Sequence, residues 1–405
     1  MRRIILLGVG LMSYGFSSAQ QLETLIDEAL TNSPQIQKFE LQYKIATEKE
    51  NEVNTLPNTE FNVGYFISEP ETRTGAQRYK ISAKQMLPWF GNITARENYV
   101  ASLADVQYEE IVLAKRKLIA SVSQSYYNLY ANKAKQAVLT ENIKLLETYE
   151  TLALTSVEVG KASAVDVLRL QMRQNEMQQL SDVLGQQFLA EQTAFNNLLN
   201  REKARAVQVV DELDIPSKDF ESAIENLALH PELLKYDKLY QSVTQSELLN
   251  QNESSPMIGF GLDYINVNER PAMDFSDNGK DIIMPMVFLS IPIFNKKFKS
   301  KTKQNEWKKQ EIVAQKQERL NVLQTLLDKA LNERISARIS YVTQAKNLKQ
   351  AKNAESILIK NYETGTIDFN DVLDIQELQL KFQMNQIESI RNYYVQTTII
   401  NYLSN

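Results

Sequence analysis

Asp371 and Asp374 are the two side chains of this sequence whose type and spacing most suggest a chemical task. Residues three apart share one face of a helix, and two like charges there cost stability instead of adding to it. The chemistry open to such a pair is that of fixed negative charge. Asp371 also has a plainer reading. It closes the run Asp368-Phe369-Asn370-Asp371, an acidic equivalent of the capping box Ser163-Ala164-Val165-Asp166, and the helix dipole favours an acid in the first turn. Asp166 shares that plain reading. Asp374 lies a turn further on, and its counterpart in the first tract is Arg169, so neither capping nor duplication explains it.

Catalysis finds no footing. The single histidine, His230, sits in LALHPELL, a helix-start context in which Pro231 is tolerated in the first turn. It has no second histidine or cysteine with which to build a His-based metal site or a nucleophile–histidine–acid triad. There is no glycine-rich phosphate loop, and the acid clusters fall on charged helix faces. No enzyme is expected, no catalytic residue, no metal and no cofactor.

The aspartates belong to a motif that the chain carries twice. SVEVGKASAVDVLRLQ (156–171) aligns without a gap on NYETGTIDFNDVLDIQ (361–376), pairing Gly160 with Gly365, Asp166 with Asp371 and Gln171 with Gln376. Upstream, LPWFG (87–91) pairs with IPIFN (291–295) and NSPQIQK (32–38) with LHPELLK (229–235). A period of about 200 residues is too long for a solenoid of small units and reads as a duplicated half-domain. The expected organisation is a signal segment over 1–19, a first repeat over 20–205 and a second over 206–405. Each repeat holds a helix, two strands (about 58–88 and 256–292) and a helical hairpin (about 89–200 and 293–405).

Glycine and proline mark those boundaries. None occurs over 92–159 or 293–364, and none follows Gly365. At 1.5 Å per residue, the first of these tracts would make a helix about 100 Å long. Within the tracts Ile119, Val122, Tyr126 and Leu129, and again Leu320, Leu323, Leu327 and Ala330, recur at coiled-coil steps. Gly160 and Gly365 each interrupt a long helix once, as a tight helix–helix turn requires. They are the expected hairpin tips.

The remaining breakers cluster in two windows where the period changes to two. FNVGYFI (61–67) with RYKISAKQML (78–87), and MIGFGLDYI (257–265) with DIIMPMVFLSI (281–291), read as two strand pairs. Pro88 and Pro292 stand at the joins to the following helices. The runs have the length of tilted transmembrane strands, about 9–11 residues; as soluble hairpins capping a bundle they would look similar. Four strands per chain cannot close a membrane barrel, which needs about eight, and an open sheet edge cannot sit in lipid. Spanning strands would therefore make the protein an obligate oligomer.

Composition sets the compartment. MRRIILLGVGLMSYGFSSAQ has two arginines, an apolar run and small Ser17 and Ala19 before Gln20, the pattern of a cleavable secretory signal. With no cysteine in the chain there is no disulfide staple and no lipid-modified amino terminus. The net charge of −5 argues against nucleic acid as a partner. No stretch after the signal has the about 18 uninterrupted apolar residues of a transmembrane helix.

Taken in order, the signal segment, the duplication, the paired strands, the breaker-free helices and the two tracts VEVGKASAVDVLRLQ and YETGTIDFNDVLDIQ resemble the TolC-type outer-membrane efflux family over essentially the whole mature chain. The resemblance implies a mainly α fold with a transmembrane β part. It implies a homotrimer with a barrel of about 12 strands in outer-membrane lipid, and long antiparallel hairpins forming a periplasmic α-barrel. The function implied is a passive exit duct of a tripartite efflux or type I secretion system, docked to a periplasmic adaptor and an inner-membrane pump. It places Asp371 and Asp374 around the periplasmic aperture, where a ring of carboxylates favours cations. Tyr362 and Asp166 match two members of the family's hairpin latch, although Tyr362 would equally fill a coiled-coil seam. Val165 and Ile367 depart from the latch pattern, replacing a hydroxyl-bearing residue and an arginine. A soluble periplasmic coiled-coil scaffold or adaptor is the competing reading.

Overall fold

The computed structural model describes residues 14–160, 163–218, 224–271, 273–364, 366–367 and 369–404. Of the expected signal segment, residues 1–13 lie outside these; Gly365 and Asp368 lie outside them too. Helix α1 spans Tyr14–Asn32, α2 Pro34–Val53, α3 Asn92–Glu158, α4 Ala164–Leu198, α5 Pro231–Glu253, α6 Lys297–Glu363 and α7 Phe369–Ser404. Strands are β1 Glu60–Tyr65, the two-residue β2 Glu71–Thr72, β3 Gly75–Leu87, β4 Met257–Asn268 and β5 Ile282–Ser290. Among the described residues no helix is long and apolar enough to cross a membrane.

Both breaker-free tracts are helices of 67 residues, α3 and α6. Their partners α4 and α7 are 35 and 36 residues long. α3 stops where Gly160 takes φ 71°, a conformation a side chain would strain.

The chain divides into two compact units. The first draws on described residues of Met1–Lys38, Val112–His230 and Leu320–Asn405. One of its cores gathers Leu139, Leu146, Leu170, Phe369 and Val372 from α3, α4 and α7. Another sets Val122, Tyr126 and Leu129 of the predicted seam against Phe195 and Leu199. The segment after α4 is tied down by its backbone. Asn196 donates to the carbonyls of Lys203 and Arg205 at 2.9 and 2.8 Å, and the amides of Val210 and Leu213 donate to the hydroxyls of Tyr126 and Tyr130.

The second unit draws on Phe39–Ile111 and Pro231–Arg319 and holds the antiparallel sheet, ordered β1-β3-β4-β5 with β2 beside β3. β3 begins at Gly75, three residues before the predicted run, because β4 extends to Asn268 and Ala76 pairs with it. Residues directly opposite one another share a face, so the register sorts the side chains. One face carries Phe61, Val63, Tyr65, Ile81, Leu87, Ile258, Phe260, Leu262, Ile283, Val287 and Leu289, interrupted by Gln85 and, towards the end of β4, by Asn266 and Asn268. The other carries Glu60, Asn62, Lys80, Ser82, Lys84 and Asp263, with methionines, glycines and the apolar Ile265, Ile282 and Phe288 among them. On that second face the Lys80 ammonium pairs with the buried carboxylate of Asp263. Gly259 leaves room for the neighbouring Met86, whose sulfur would lie 2.3 Å from any Cβ there.

Candidate functional site at the hairpin tips

α4 is started by Ser163, whose hydroxyl accepts from the Val165 amide at 3.2 Å while Asp166 accepts from the Ser163 amide at 3.3 Å. The expected capping box is formed, and this is where the Asp166 carboxylate is spent. Arg169 stands 4.0 Å from that carboxylate and donates to Asn370 on α7. One turn on, Arg173 comes within 3.9 Å of Glu377. The cations of α4 thus approach α7 on either side of Asp371 and Asp374.

Asp371 lies in the first turn of α7 and Asp374 one turn along, both exposed, while the intervening Val372 is fully buried. The two carboxylates share the solvent side of the helix and have no ion-pair or hydrogen-bond partner among the described residues. Their charge is available to a mobile cation.

Tyr362 is buried near the end of α6, its ring 4.8 Å from that of Phe369 in an edge contact. Both belong to the core that closes the four helices here, and Ile367 packs against the same core. Val165 is half exposed. Pro88 and Pro292 sit in the irregular joins after β3 and β5.

Sequence reasoning missed a buried polar link between the two hairpins. The Tyr149 hydroxyl on α3 donates to Glu355 on α6 at 2.6 Å. Glu355 also accepts from Gln376 and, at 2.8 Å, from Gln379, both on α7. Burial and then the hydrogen bond to Glu355 push the Tyr149 phenol well above its ordinary value, so it stays a donor. The one available signal is the match of Gln376 with Gln171 in the repeated motif. Gln171 instead donates to Glu150 at 2.7 Å, within the first hairpin.

Further along, Asn142 donates to Gln383 at 3.1 Å and Lys135 to Glu388 at 2.7 Å. Arg391 donates to Glu388 at 2.9 Å and to Asn128 at 3.0 Å. Burial works to raise the Glu388 carboxyl, but the bonds and charges of Lys135 and Arg391 outweigh it and hold it below the usual range. His230 is buried against the edge of Tyr402, ring centroids 5.1 Å apart. No group of three or more metal-ligating side chains comes together among the described residues.

No family profile matches the sequence, and no curated protein matches it. Solved structures do. A CusC structure described in terms of transmembrane channel formation aligns with TM-score 0.77 at 15% identity, over 95% of this chain and 92% of that one. The outer membrane protein VceC of Vibrio cholerae aligns with TM-score 0.77 at 15% identity, over 96% and 97%. The CmeC outer membrane channel of Campylobacter jejuni gives 0.74 at 14%, over 96% and 87%. The fold is that of the TolC-type outer-membrane channels: long helical hairpins joined to a small antiparallel sheet.

Proposed function

We propose that this chain is one protomer of a trimeric outer-membrane exit duct, in a tripartite efflux or type I secretion system with a periplasmic adaptor and an inner-membrane pump. The observation that carries this reading is the two-faced sheet. An apolar face of exposed Phe, Val, Ile and Leu side chains suits lipid, and a polar face suits a water-filled lumen. Among the described residues β1 and β5 each have one neighbour, so the sheet has two open edges that lipid would not tolerate. Pairing β5 of one copy with β1 of the next removes both. The two halves of the chain are then a duplicated unit, each supplying two spanning strands and one hairpin.

In this reading the hairpin tips form the periplasmic gate. Asp371 and Asp374 ring the aperture, Tyr362 and Asp166 contribute to closing it, Gly160 and Gly365 turn the tips, and Pro88 and Pro292 mark the passage from strand to helix. Fractionation of cells expressing the full chain tests the proposal, followed by cross-linking and electrophoresis with and without heating. Heat-modifiable trimers in the outer membrane are expected. A soluble periplasmic monomer would replace the duct with a coiled-coil scaffold or adaptor.

A further inference from the structure

The first turns of α6 break a local rule. Helix starts favour acids, because the amide dipoles place positive potential there. α6 has no acid in its first turn. It opens instead on Asn295-Lys296-Lys297-Phe298-Lys299-Ser300-Lys301-Thr302-Lys303, and no acid occurs between Asp281 and Glu306. All five lysines are exposed and none is in an ion pair among the described residues. Lys297 and Lys301, and Lys299 and Lys303, are like charges one turn apart, which adds to the cost. The seam that holds this end of α6 down is made without the lysines: Asn250 donates to the Phe298 carbonyl at 3.0 Å and to the Thr302 hydroxyl at 3.1 Å, and the Glu247 carboxylate accepts from Thr302 and Asn305, each at 2.8 Å. The lysines flank that seam and contribute nothing to it. The corresponding start of α3, Asn92-Ile93-Thr94-Ala95-Arg96, has one cation, and Arg96 lies 3.5 Å from Glu253.

Position supplies the explanation. Leu87, Ile258 and Leu289 lie opposite one another, the last apolar row of the sheet at this end. Just past that row the chain leaves β5 through Ile291, Ile293 and Phe294, and Phe294 is 99% exposed. Beside the row, Leu87, Trp89, Phe90 and Phe260 line an apolar hollow of about 420 Å³. Apolar and aromatic side chains followed at once by a run of unpaired lysines have the order of a membrane interface: chains, then glycerol, then headgroups.

We infer that the start of α6, with Ile291, Ile293 and Phe294, is a lipid-binding collar for anionic phospholipid headgroups in the periplasmic leaflet. The inference rests on the outer-membrane reading, which sets that leaflet at this end of the sheet. The apolar residues take acyl chains, and the five ammonium groups take the phosphates. Bound lipid phosphates offset the excess charge on the helix start, beyond the single Glu247 carboxylate that already lies against it.

The test places a reporter in the collar. In the full chain, Trp89→Phe, Trp307→Phe and Phe294→Trp leave one tryptophan at position 294. This protein is reconstituted in phosphatidylethanolamine bilayers containing brominated phosphatidylglycerol or brominated phosphatidylethanolamine. Stronger quenching by the brominated anionic lipid is expected, falling towards parity in high salt. Replacing Lys296, Lys297, Lys299, Lys301 and Lys303 together by Gln is expected to cut the anionic preference about tenfold, and replacing them by Arg to preserve it. Equal quenching by both lipids in the lysine-bearing trimer would overturn the collar and leave the duct standing. A preference that survives the Gln substitutions would overturn it too. No quenching by either lipid, from protein recovered outside the bilayer, would sink both readings. Loss of an acidic periplasmic protein from the Gln variant, with lipid preference unchanged, would assign the lysines to protein docking instead.

Discussion

The Tyr149 hydroxyl lies 2.6 Å from Glu355, and this bond joins the first helical hairpin to the second. Its acceptor is shared with Gln376 and Gln379, so one carboxylate collects three donors from two helices. Hydrogen bonds to a charged group contribute about 1.5–3 kcal/mol each, and Tyr149 is buried enough to keep much of that. Tyr149→Phe and Glu355→Gln are each expected to raise the conductance of the isolated channel in planar bilayers, Glu355→Gln more, because it weakens all three bonds. Wild-type conductance in both variants would remove this network from the gate.

At Asp371 and Asp374 the expected change is in selectivity. Both carboxylates are exposed and uncompensated, while the nearby Arg169 donates to Asn370 and Arg173 to Glu176. Replacing both with Ala should abolish cation preference in single-channel recordings, together with block by multivalent cations. Reversal potentials that stay where they were would restrict the two acids to helix-start roles.

Tyr362 packs edge-on to Phe369, and Ile367 joins the same core. A polar latch and apolar closure predict opposite outcomes here. If the Tyr362 hydroxyl holds the tip, Tyr362→Phe raises conductance. If packing holds it, Tyr362→Phe conducts like wild type and Ile367→Asp opens the channel. Recording the two variants side by side decides between them.

Glu388 gives a pH dependence with a definite sign. Its folded-state pKa is held below the ordinary 4.5, so its stabilising contribution is present above that value and lost as pH falls through the folded pKa. The Lys135–Glu388–Arg391 cluster is partly exposed, which limits its worth to about 1 kcal/mol. The difference in thermal midpoint between wild type and Glu388→Gln, followed by circular dichroism, should be largest near neutral pH and shrink below about pH 4.5. A constant gap across that range would mean that shape at this position matters and charge does not.

The long elements were legible because breakers and periodicity act locally. Asn92 and Glu158 bound α3 almost where the glycine- and proline-free tract begins and ends. The four long strands lie within a few residues of their predicted runs. The pairing of β3 with β4, which joins strands from the two halves of the chain, was not legible: alternation fixes which residues share a face but names no neighbour. At the tips, Ser163 and Asp166 announced their capping box through spacing alone. Glu355 announced nothing, because its donors come from positions as far away as Tyr149 and a single glutamate on a helix looks like a solvated one.

Pro285 lies within β5, opposite Leu262, and the ladder to β4 runs unbroken on both sides of it. A proline cannot donate, so an unbroken ladder turns its missing N–H away from β4, onto the free edge. That edge is therefore a faulty template. A stray strand meeting it in transit finds a gap in the row of donors, and runaway pairing is discouraged until a matching copy arrives with enough other contacts to tolerate the gap. One imino acid thus makes this edge a poorer template for indiscriminate strand addition.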